Sequence, residues 1–374
     1  MEKRGVRIVI AGGGTGGHLF PAVAIAEEIL ERSQMNEVLF IGTERGLEAK
    51  LLPSLGFTLR TITVEGVKGR GPVKMIGSLL KIPRGITQSV SILREFRPDI
   101  ALGVGGYASG PAVMAAHFMG IKTAVAEQNA LPGFTNRVLG RFVDRVFITF
   151  PDREGQFAAA KTIVTGNPVR RAFIKGIKKS PRGGNTFSIL VFGGSQGARA
   201  INRAVVEAMQ YLEDMRGRLV VTHQTGERDF DEVSTAYRDR GVHAEVHPFI
   251  TDMASAYRSA NLLICRAGAT SIAEMTATGK ASVLIPYPFA VGGHQELNAR
   301  LLADAGAAEM ILEDSLDGQT LAGVIRRLAE SPETIRRMEE ESERLGSVKA
   351  AARIVDECMA VLAPDLSGQG TGRN

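Results

Sequence analysis

An apolar run that stops at a glycine cluster and resumes as a helical pattern occurs three times in this chain. Ile189-Leu190-Val191-Phe192 runs into Gly193-Gly194-Ser195-Gln196-Gly197, and Val6 to Ala11 into Gly12-Gly13-Gly14-Thr15-Gly16-Gly17-His18. Asp99 to Leu102 runs into Gly103-Val104-Gly105-Gly106-Tyr107-Ala108-Ser109-Gly110. Each reads as a buried parallel strand, a tight loop and a helix whose first amides lack partners. Glycines let the backbone approach a ligand closely, the N–H groups donate to oxyanions, and the helix dipole adds positive potential. One such loop is also what a plain strand-to-helix turn looks like. Three together point to phosphate-bearing ligands held by two similar domains that face a cleft.

The rest of the pattern agrees with an α/β fold. Short apolar runs recur at Val38 to Ile41, Ile100 to Leu102, Thr123 to Ala126, Val146 to Ile148 and Thr162 to Val164, separated by helical stretches such as Pro21 to Glu31. This alternation predicts βα units and a doubly wound parallel sheet. It restarts at Ile189 to Phe192 and continues through Leu219 to Thr222, Ala244 to Val246, Leu262 to Cys265, Val283 to Ile285 and Ala308 to Leu312. A chain of 374 residues is too long for one ordinary core, so the restart marks a second domain. The hinge falls near Gly166 to Val169, giving a first domain over residues 1–165 and a second over 168–345. Late apolar positions Leu345, Val348, Ala352, Val355, Met359 and Leu362 predict a final helix over 347–363, and residues 364–374 read as a disordered tail.

The two cysteines, Cys265 and Cys358, form no CxxC pair, so a disulfide framework or zinc cluster is not expected. The apolar run after Lys3, Arg4 and Arg7 is too short for a signal peptide, and no segment reaches the ~20 apolar residues of a membrane span. The net charge of +5 is concentrated. Lys68, Arg70, Lys74, Lys81, Arg84, Arg94 and Arg97 lie between Glu65 and Asp99, interleaved with Met75, Ile76, Leu79, Leu80 and Ile82. Such a segment suits an anionic bilayer surface, and equally an amphipathic helix with a solvated basic edge. There is no Trp, and Phe96 is the one aromatic in the segment, so nucleic acid is not an expected partner.

Candidate chemistry gathers at strand ends. His18 closes the first glycine loop; an imidazole can take a hydroxyl proton near neutral pH, or it can bond the backbone at a helix start. Glu127-Gln128-Asn129 follows the strand Thr123 to Ala126, where open α/β sheets bind ligands, although Gln128 and Asn129 could simply cap turns. Glu274, a turn into a helix that opens at Ala269 and Thr270, can accept ribose hydroxyls or complement the helix dipole. Gln295, beside His294, can present an amide to sugar hydroxyls or merely start a surface helix. Asp229-Phe230-Asp231 reads as a solvated helix face rather than a metal-binding pair. His243 and His247 flank a strand, where an i, i+4 spacing does not make a zinc pair.

Taken together, GGGTGGH at 12–18, GGYASGP at 105–111, EQNALPGFTNR at 127–137, GNPVR at 166–170, GGSQGAR at 193–199, CRAGATSIAE at 265–274 and HQELNA at 294–299 resemble the MurG family over nearly the whole chain. Its members are bacterial transferases that move N-acetylglucosamine (GlcNAc) from UDP-GlcNAc to lipid I, giving lipid II of peptidoglycan. The resemblance implies a GT-B architecture, two Rossmann-like domains with the final helix returning to the first. It implies donor contacts from Ser195, Arg170, Ile250 through its backbone, Ala269, Thr270, Glu274 and Gln295. From the first domain, Thr15, Gly16, Gly17 and Asn129 would approach the transferred sugar, and Gly13, Gly14, Gly105 and Gly106 the acceptor diphosphate. His18 is the first candidate base and Glu127 the second. No cofactor is implied, nor a metal. The segment Lys68 to Arg84 would rest on the cytoplasmic side of the cell membrane, making the protein peripheral, and other cell-wall synthesis proteins are further candidate partners.

The chain departs from the family in two places. Ala126 stands where family members usually have His before Glu-Gln-Asn, which shifts the burden of proton removal to His18 or Glu127. Val291-Gly292-Gly293 lacks the acidic residues often found ahead of His294. Other readings stay open: an NAD-dependent oxidoreductase using Gly12-x-Gly14-x-x-Gly17 with Glu44, a non-catalytic lipid-diphosphate binder, and a UDP-GlcNAc 2-epimerase.

Overall fold

The computed structural model describes residues 5–44, 46–64, 72–152, 154–174, 186–194 and 196–363, with backbone alone at 72–81 and Val291. Lys68, Arg70, Ser195 and the 364–374 tail lie outside the described residues. The chain divides into two compact units, Met1–Gln128 with Pro132–Pro168 and Lys349–Asn374, and Asn129–Leu131 with Val169–Val348.

The first unit is built on strands β1 (Arg7–Ala11), β2 (Glu37–Gly42), β3 (Thr58–Thr61), β4 (Ile100–Gly103), β5 (Lys122–Glu127), β6 (Arg145–Ile148) and β7 (Thr162–Val164). They pair in parallel in the order β3-β2-β1-β4-β5-β6-β7. The chain winds outward in one direction from β1 and in the other from β4, so the switch point lies between these two strands. Loops leaving β1 and β4 therefore meet at the carboxyl edge of the sheet. Alternation builds two cores. Ile8, Ile10, Ile100 and Leu102 point to a face covered by the helices Gly16–Arg32 and Ala350–Leu362, and Val9, Ala11, Ala101 and Ile41 point to the opposite face.

The sequence gives no apolar run for β3. This edge strand, Thr-Leu-Arg-Thr, is at most half-buried, so little hydrophobic patterning was required of it. The final helix expected over 347–363 is observed as Ala350–Leu362, but two of the apolar positions read into it, Leu345 and Val348, fall outside it. Helix Pro332–Leu345 ends at Gly346, where a Cβ would lie 2.6 Å from the Thr276 carbonyl oxygen, and a separate helix, Ala350–Leu362, follows. Leu345, at the end of the first of these helices, and Val348, in the connection, are exposed. The last helix buries Ile354, Val355 and Cys358 in the first unit. Arg32 anchors it, Nη1 2.6 Å from Asp356 Oδ1 and Nη2 donating to the Ala352 carbonyl at 2.9 Å. Burial pushes the Cys358 thiol up to about 12, so this cysteine acts as a small apolar side chain.

The second unit repeats the design with β8 (Phe187–Phe192), β9 (Leu219–Gln224), β10 (Ala244–His247), β11 (Leu262–Cys265), β12 (Ala281–Leu284) and β13 (Ala308–Met310). All pair in parallel in the order β10-β9-β8-β11-β12-β13. Its switch point lies between β8 and β11, so the loops after Phe192 and Cys265 meet in the same way. Ile189, Val191, Leu262 and Ile264 fill one core; Leu190, Phe192, Leu263 and Cys265 fill the other.

Candidate functional site

In the first unit, the loop after β1 enters the helix Gly16–Arg32 through Thr15, whose extended backbone makes it the N-cap and whose carbonyl accepts from the His18 and Leu19 amides. Gly13 is buried, Gly14 and Thr15 are exposed, and Gly16 and Gly17 form the first helical turn. The loop after β4 lies directly against it. A Cβ on Gly106 would sit 2.4 Å from the Gly13 carbonyl oxygen, and one on Gly105 would sit 2.8 Å from the His18 ring. Gly105 has φ +92°, so both its backbone shape and the imidazole beside it call for glycine.

Glu48, which the sequence reading passed over, organises the first loop. Its side chain is fully buried; Oε2 accepts from the Gly14 N–H at 2.7 Å, and Oε1 accepts from the Thr43 N–H at 2.9 Å and the Thr43 hydroxyl at 2.8 Å. The Gly14 amide, expected to face a diphosphate, is thus already engaged, and the loop's donating capacity rests on its other amides. The detectable signal was the spacing of Gly42, Gly46 and Glu48, which leaves room for one carboxylate between two turns.

At the end of β5, Glu127 is buried, and its Oε2 accepts from the Gly133 N–H and from Asn136 Nδ2, both at 3.0 Å. These bonds shape the turn before helix Phe134–Leu139, which is structural work for a side chain considered above as a base. Gln128, also buried, reaches the imidazole: its Oε1 lies 3.0 Å from His18 Nδ1, and its Nε2 donates to the Ala126 carbonyl at 3.1 Å. Asn129 is half-buried and groups with the second unit.

In the second unit, Arg170 donates from Nη2 to Glu274 Oε1 at 2.8 Å, with its guanidinium 4.8 Å from the centre of the Phe173 ring. Burial raises the Glu274 carboxyl above its ordinary range while Arg170 pulls it back down. Ala269 and Thr270 are the first residues of helix Ala269–Ala277, and Glu274 is the sixth. Gln295 Oε1 accepts from the Tyr287 N–H at 3.0 Å, folding the turn ahead of helix His294–Asp304 onto itself. Ser195 lies outside the described residues, but its loop is tied to the rest. Gln224, at the end of β9, donates from Nε2 to the Gly194 carbonyl at 3.0 Å, while its Oε1 accepts from the Ile250 N–H at 2.8 Å. One buried amide therefore links the loop that leads to Ser195 with the Ile250 backbone, and nothing in the sequence around Gln224 marks it.

A second buried network supports this loop. Asn202, in helix Arg199–Ala208, donates from Nδ2 to the Thr225 carbonyl and to Asp229 Oδ2, and its Oδ1 lies 3.1 Å from His223 Nε2. Burial pushes the His223 imidazole down to about 3, so it is neutral, with Tyr237 on its Nδ1. This corrects the expectation of a solvated Asp229-Phe230-Asp231 face: Asp231 is exposed, but Asp229 is half-buried and closes the network. His243 and His247 are exposed along β10, and among the described residues no group of three or more His, Cys, Asp or Glu could hold a metal.

Doubly wound sheets with glycine loops at both switch points place the chain in the class of two-unit α/β proteins that bind nucleotides. Models of the glycosyltransferase family 28 N-terminal and C-terminal domains match residues 8–148 and 188–356. A UDP-N-acetylglucosamine--N-acetylmuramyl-(pentapeptide) pyrophosphoryl-undecaprenol N-acetylglucosamine transferase of Syntrophus aciditrophicus is 57% identical over 96% of this chain and 99% of its own. The crystal structure of Acinetobacter baumannii MurG superposes with a TM-score of 0.74 at 31% identity, covering 95% of this chain and 99% of that one. The chain belongs to glycosyltransferase family 28, in its MurG branch. A Neisseria meningitidis UDP-GlcNAc 2-epimerase has a TM-score of 0.66 at 15% identity, covering 95% and 99% of the two chains; at that identity it shares the fold.

Proposed function

We propose that this protein transfers GlcNAc from UDP-GlcNAc to the MurNAc 4-hydroxyl of undecaprenyl-diphospho-muramoylpentapeptide, giving lipid II with inversion at the anomeric carbon. The end-to-end likeness to a transferase of that name carries the reading. The second unit would hold the donor: the loop after Phe192 for the diphosphate, the Ile250 backbone for the uracil, Glu274 for the ribose, and Gln295, Ala269 and Thr270 for the remaining contacts, with Arg170 aligning Glu274. The first unit would hold the acceptor diphosphate at the paired glycine loops, with its Thr15, Gly16 and Gly17, and Asn129 of the second unit, near the sugar. His18 Nε2 takes the proton from the acceptor hydroxyl as its oxygen bonds to the anomeric carbon, and the bond to UDP breaks with its electron pair leaving on the diphosphate. Donors already oriented toward the developing charge contribute about 3 kcal/mol each to such a step. Glu127, considered as an alternative base, would instead fix the turn that carries Gln128.

No helix among the described residues is long and apolar enough to cross a membrane. The segment Lys68 to Arg84 would instead rest on the anionic cytoplasmic face, where each cation near the surface adds about 1 kcal/mol.

Radiolabelled UDP-GlcNAc incubated with a lipid I analogue tests the reading. Labelled lipid II should form at an unchanged rate in EDTA, whereas donor hydrolysis alone, epimerised donor or metal-dependent transfer would each overturn part of it. Gln224→Leu probes the donor half. It strips partners from the Gly194 carbonyl and the Ile250 N–H, and KM for UDP-GlcNAc should rise about tenfold with kcat changed less than about threefold, the scale of one lost hydrogen-bonding group. An unchanged KM would detach these two loops from donor binding.

A further inference from the structure

We propose that Gln128 is a positioning residue that fixes the tautomer of His18, so that the proton-accepting nitrogen is Nε2. The inference rests on the reading of His18 as the base and adds the group that makes it competent. A backbone carbonyl has a fixed polarity: it only accepts. The Ala126 carbonyl can only accept, and the nearer atom of the Gln128 amide, 3.1 Å away, must therefore be the NH2 nitrogen. The opposite assignment would set two oxygens against each other in a buried place, beside an Asn136 NH2 group that donates to the same carbonyl at 3.1 Å. With the amide fixed this way, the atom facing His18 is Oε1, which can only accept.

At 3.0 Å from that oxygen, His18 Nδ1 must carry the hydrogen. A neutral imidazole has one N–H, so Nε2 keeps its lone pair, and Nε2 makes no hydrogen bond to any described residue. In water the other tautomer, protonated at Nε2, is the ordinary one, and a base held in that form would present a hydrogen to the acceptor hydroxyl instead of a lone pair. Gln128 also holds the ring in place. The imidazole is wedged between this amide and Gly105, where a Cβ would meet the ring at 2.8 Å, so it cannot flip without clashing or breaking the bond. When Nε2 takes the hydroxyl proton, the resulting imidazolium still donates from Nδ1 to the same oxygen, and no rearrangement is needed within the step. Burial and a second donor on the same carbonyl give a neutral amide the orienting role that a carboxylate plays in other base pairs.

The test reads the tautomer directly and then its consequence. Heteronuclear NMR of protein labelled at the histidine ring nitrogens, with the His18 signals assigned by their loss in His18→Gln, should show His18 protonated at Nδ1 in the unmodified chain at a pH where the ring is neutral. A ring protonated at Nε2 would overturn the proposal without touching the question of what the enzyme transfers. In Gln128→Leu, His18 should change to the Nε2-protonated form and kcat should fall about tenfold or more, with KM for UDP-GlcNAc unchanged. Gln128→Glu retains an acceptor for Nδ1–H, so kcat should recover to within about threefold, with the acid limb of its pH profile moved to higher pH by the added negative charge. If Gln128→Leu keeps the Nδ1-protonated form and full kcat, or if Gln128→Glu is as slow as Leu with an unmoved limb, Gln128 is only a packing residue. Absence of lipid II formation by the unmodified chain, with His18 protonated at Nδ1, would count against the proposed function and leave the amide's orienting role standing.

Discussion

Glu48→Ala is expected to lower the unfolding free energy of the first unit by about 3–5 kcal/mol, the cost of leaving three buried donors without the acceptor they share. The carboxylate is fully buried and receives three hydrogen bonds, from the Gly14 N–H, the Thr43 N–H and the Thr43 hydroxyl. Alanine leaves those donors facing one another across a void, and each buried donor without a partner costs about 1–3 kcal/mol. The void cannot readily close, because the walls are backbone: a Cβ at Gly46 would lie 2.1 Å from Glu48 Oε2 and one at Gly13 2.5 Å from its Cδ. Glu48→Gln keeps the volume and one acceptor oxygen but turns an NH2 group toward a donor, so its loss should be about half as large. Chemical denaturation followed by a first-unit probe measures both. A Glu48→Ala loss below about 1 kcal/mol would mean that water replaces the carboxylate and that the glycine loop does not depend on it.

This residue also shows what was legible in the sequence. Apolar strands such as Ile189 to Phe192 announced themselves because both faces of a parallel sheet are covered, so every position must be apolar. Thr58–Thr61 did not, because an edge strand buries so little. Glycine loops were visible for a related reason: a position such as Gly105, pressed against an imidazole at positive φ, accepts no other residue. Polar partners left no comparable mark. Glu48, Gln128, Gln224 and Asn202 each act through a contact with a residue many positions away, and a lone glutamine or glutamate reads the same whether it is buried between two loops or solvated. The Asp229-Phe230-Asp231 run misled for that reason, since the residue that draws Asp229 inward, Asn202, lies on a different helix. Leu345 misled in the opposite sense: it continues the apolar period of Val348 to Leu362, yet it closes the preceding helix Pro332–Leu345, and Gly346, packed against the Thr276 carbonyl, stands between the two.

His18→Ala should have the largest effect on turnover, lowering kcat by between about a hundredfold and ten-thousandfold, the range for removal of a general base. Two features of the chain put it at the upper part of that range. Ala126 occupies the position where a second imidazole would be expected, so that ring is not there to substitute. Glu127, the only other candidate, has its Oε2 between the Gly133 N–H and the Asn136 amide, and could act as a base only by giving up the turn it holds. UDP-GlcNAc affinity, measured by calorimetry, should stay within about twofold, because the expected donor contacts all come from the second unit apart from those near the transferred sugar. The same measurements on Glu127→Gln separate the two carboxyl roles. A carboxamide can still accept from Gly133 but sets an NH2 against Asn136, so this variant should lose stability and keep a kcat well above that of His18→Ala. If instead Glu127→Gln abolished turnover with unchanged stability, while His18→Ala cost less than about tenfold, proton removal would belong to the carboxylate, and the imidazole beside Gly105 would be reduced to a spacer between two glycine loops.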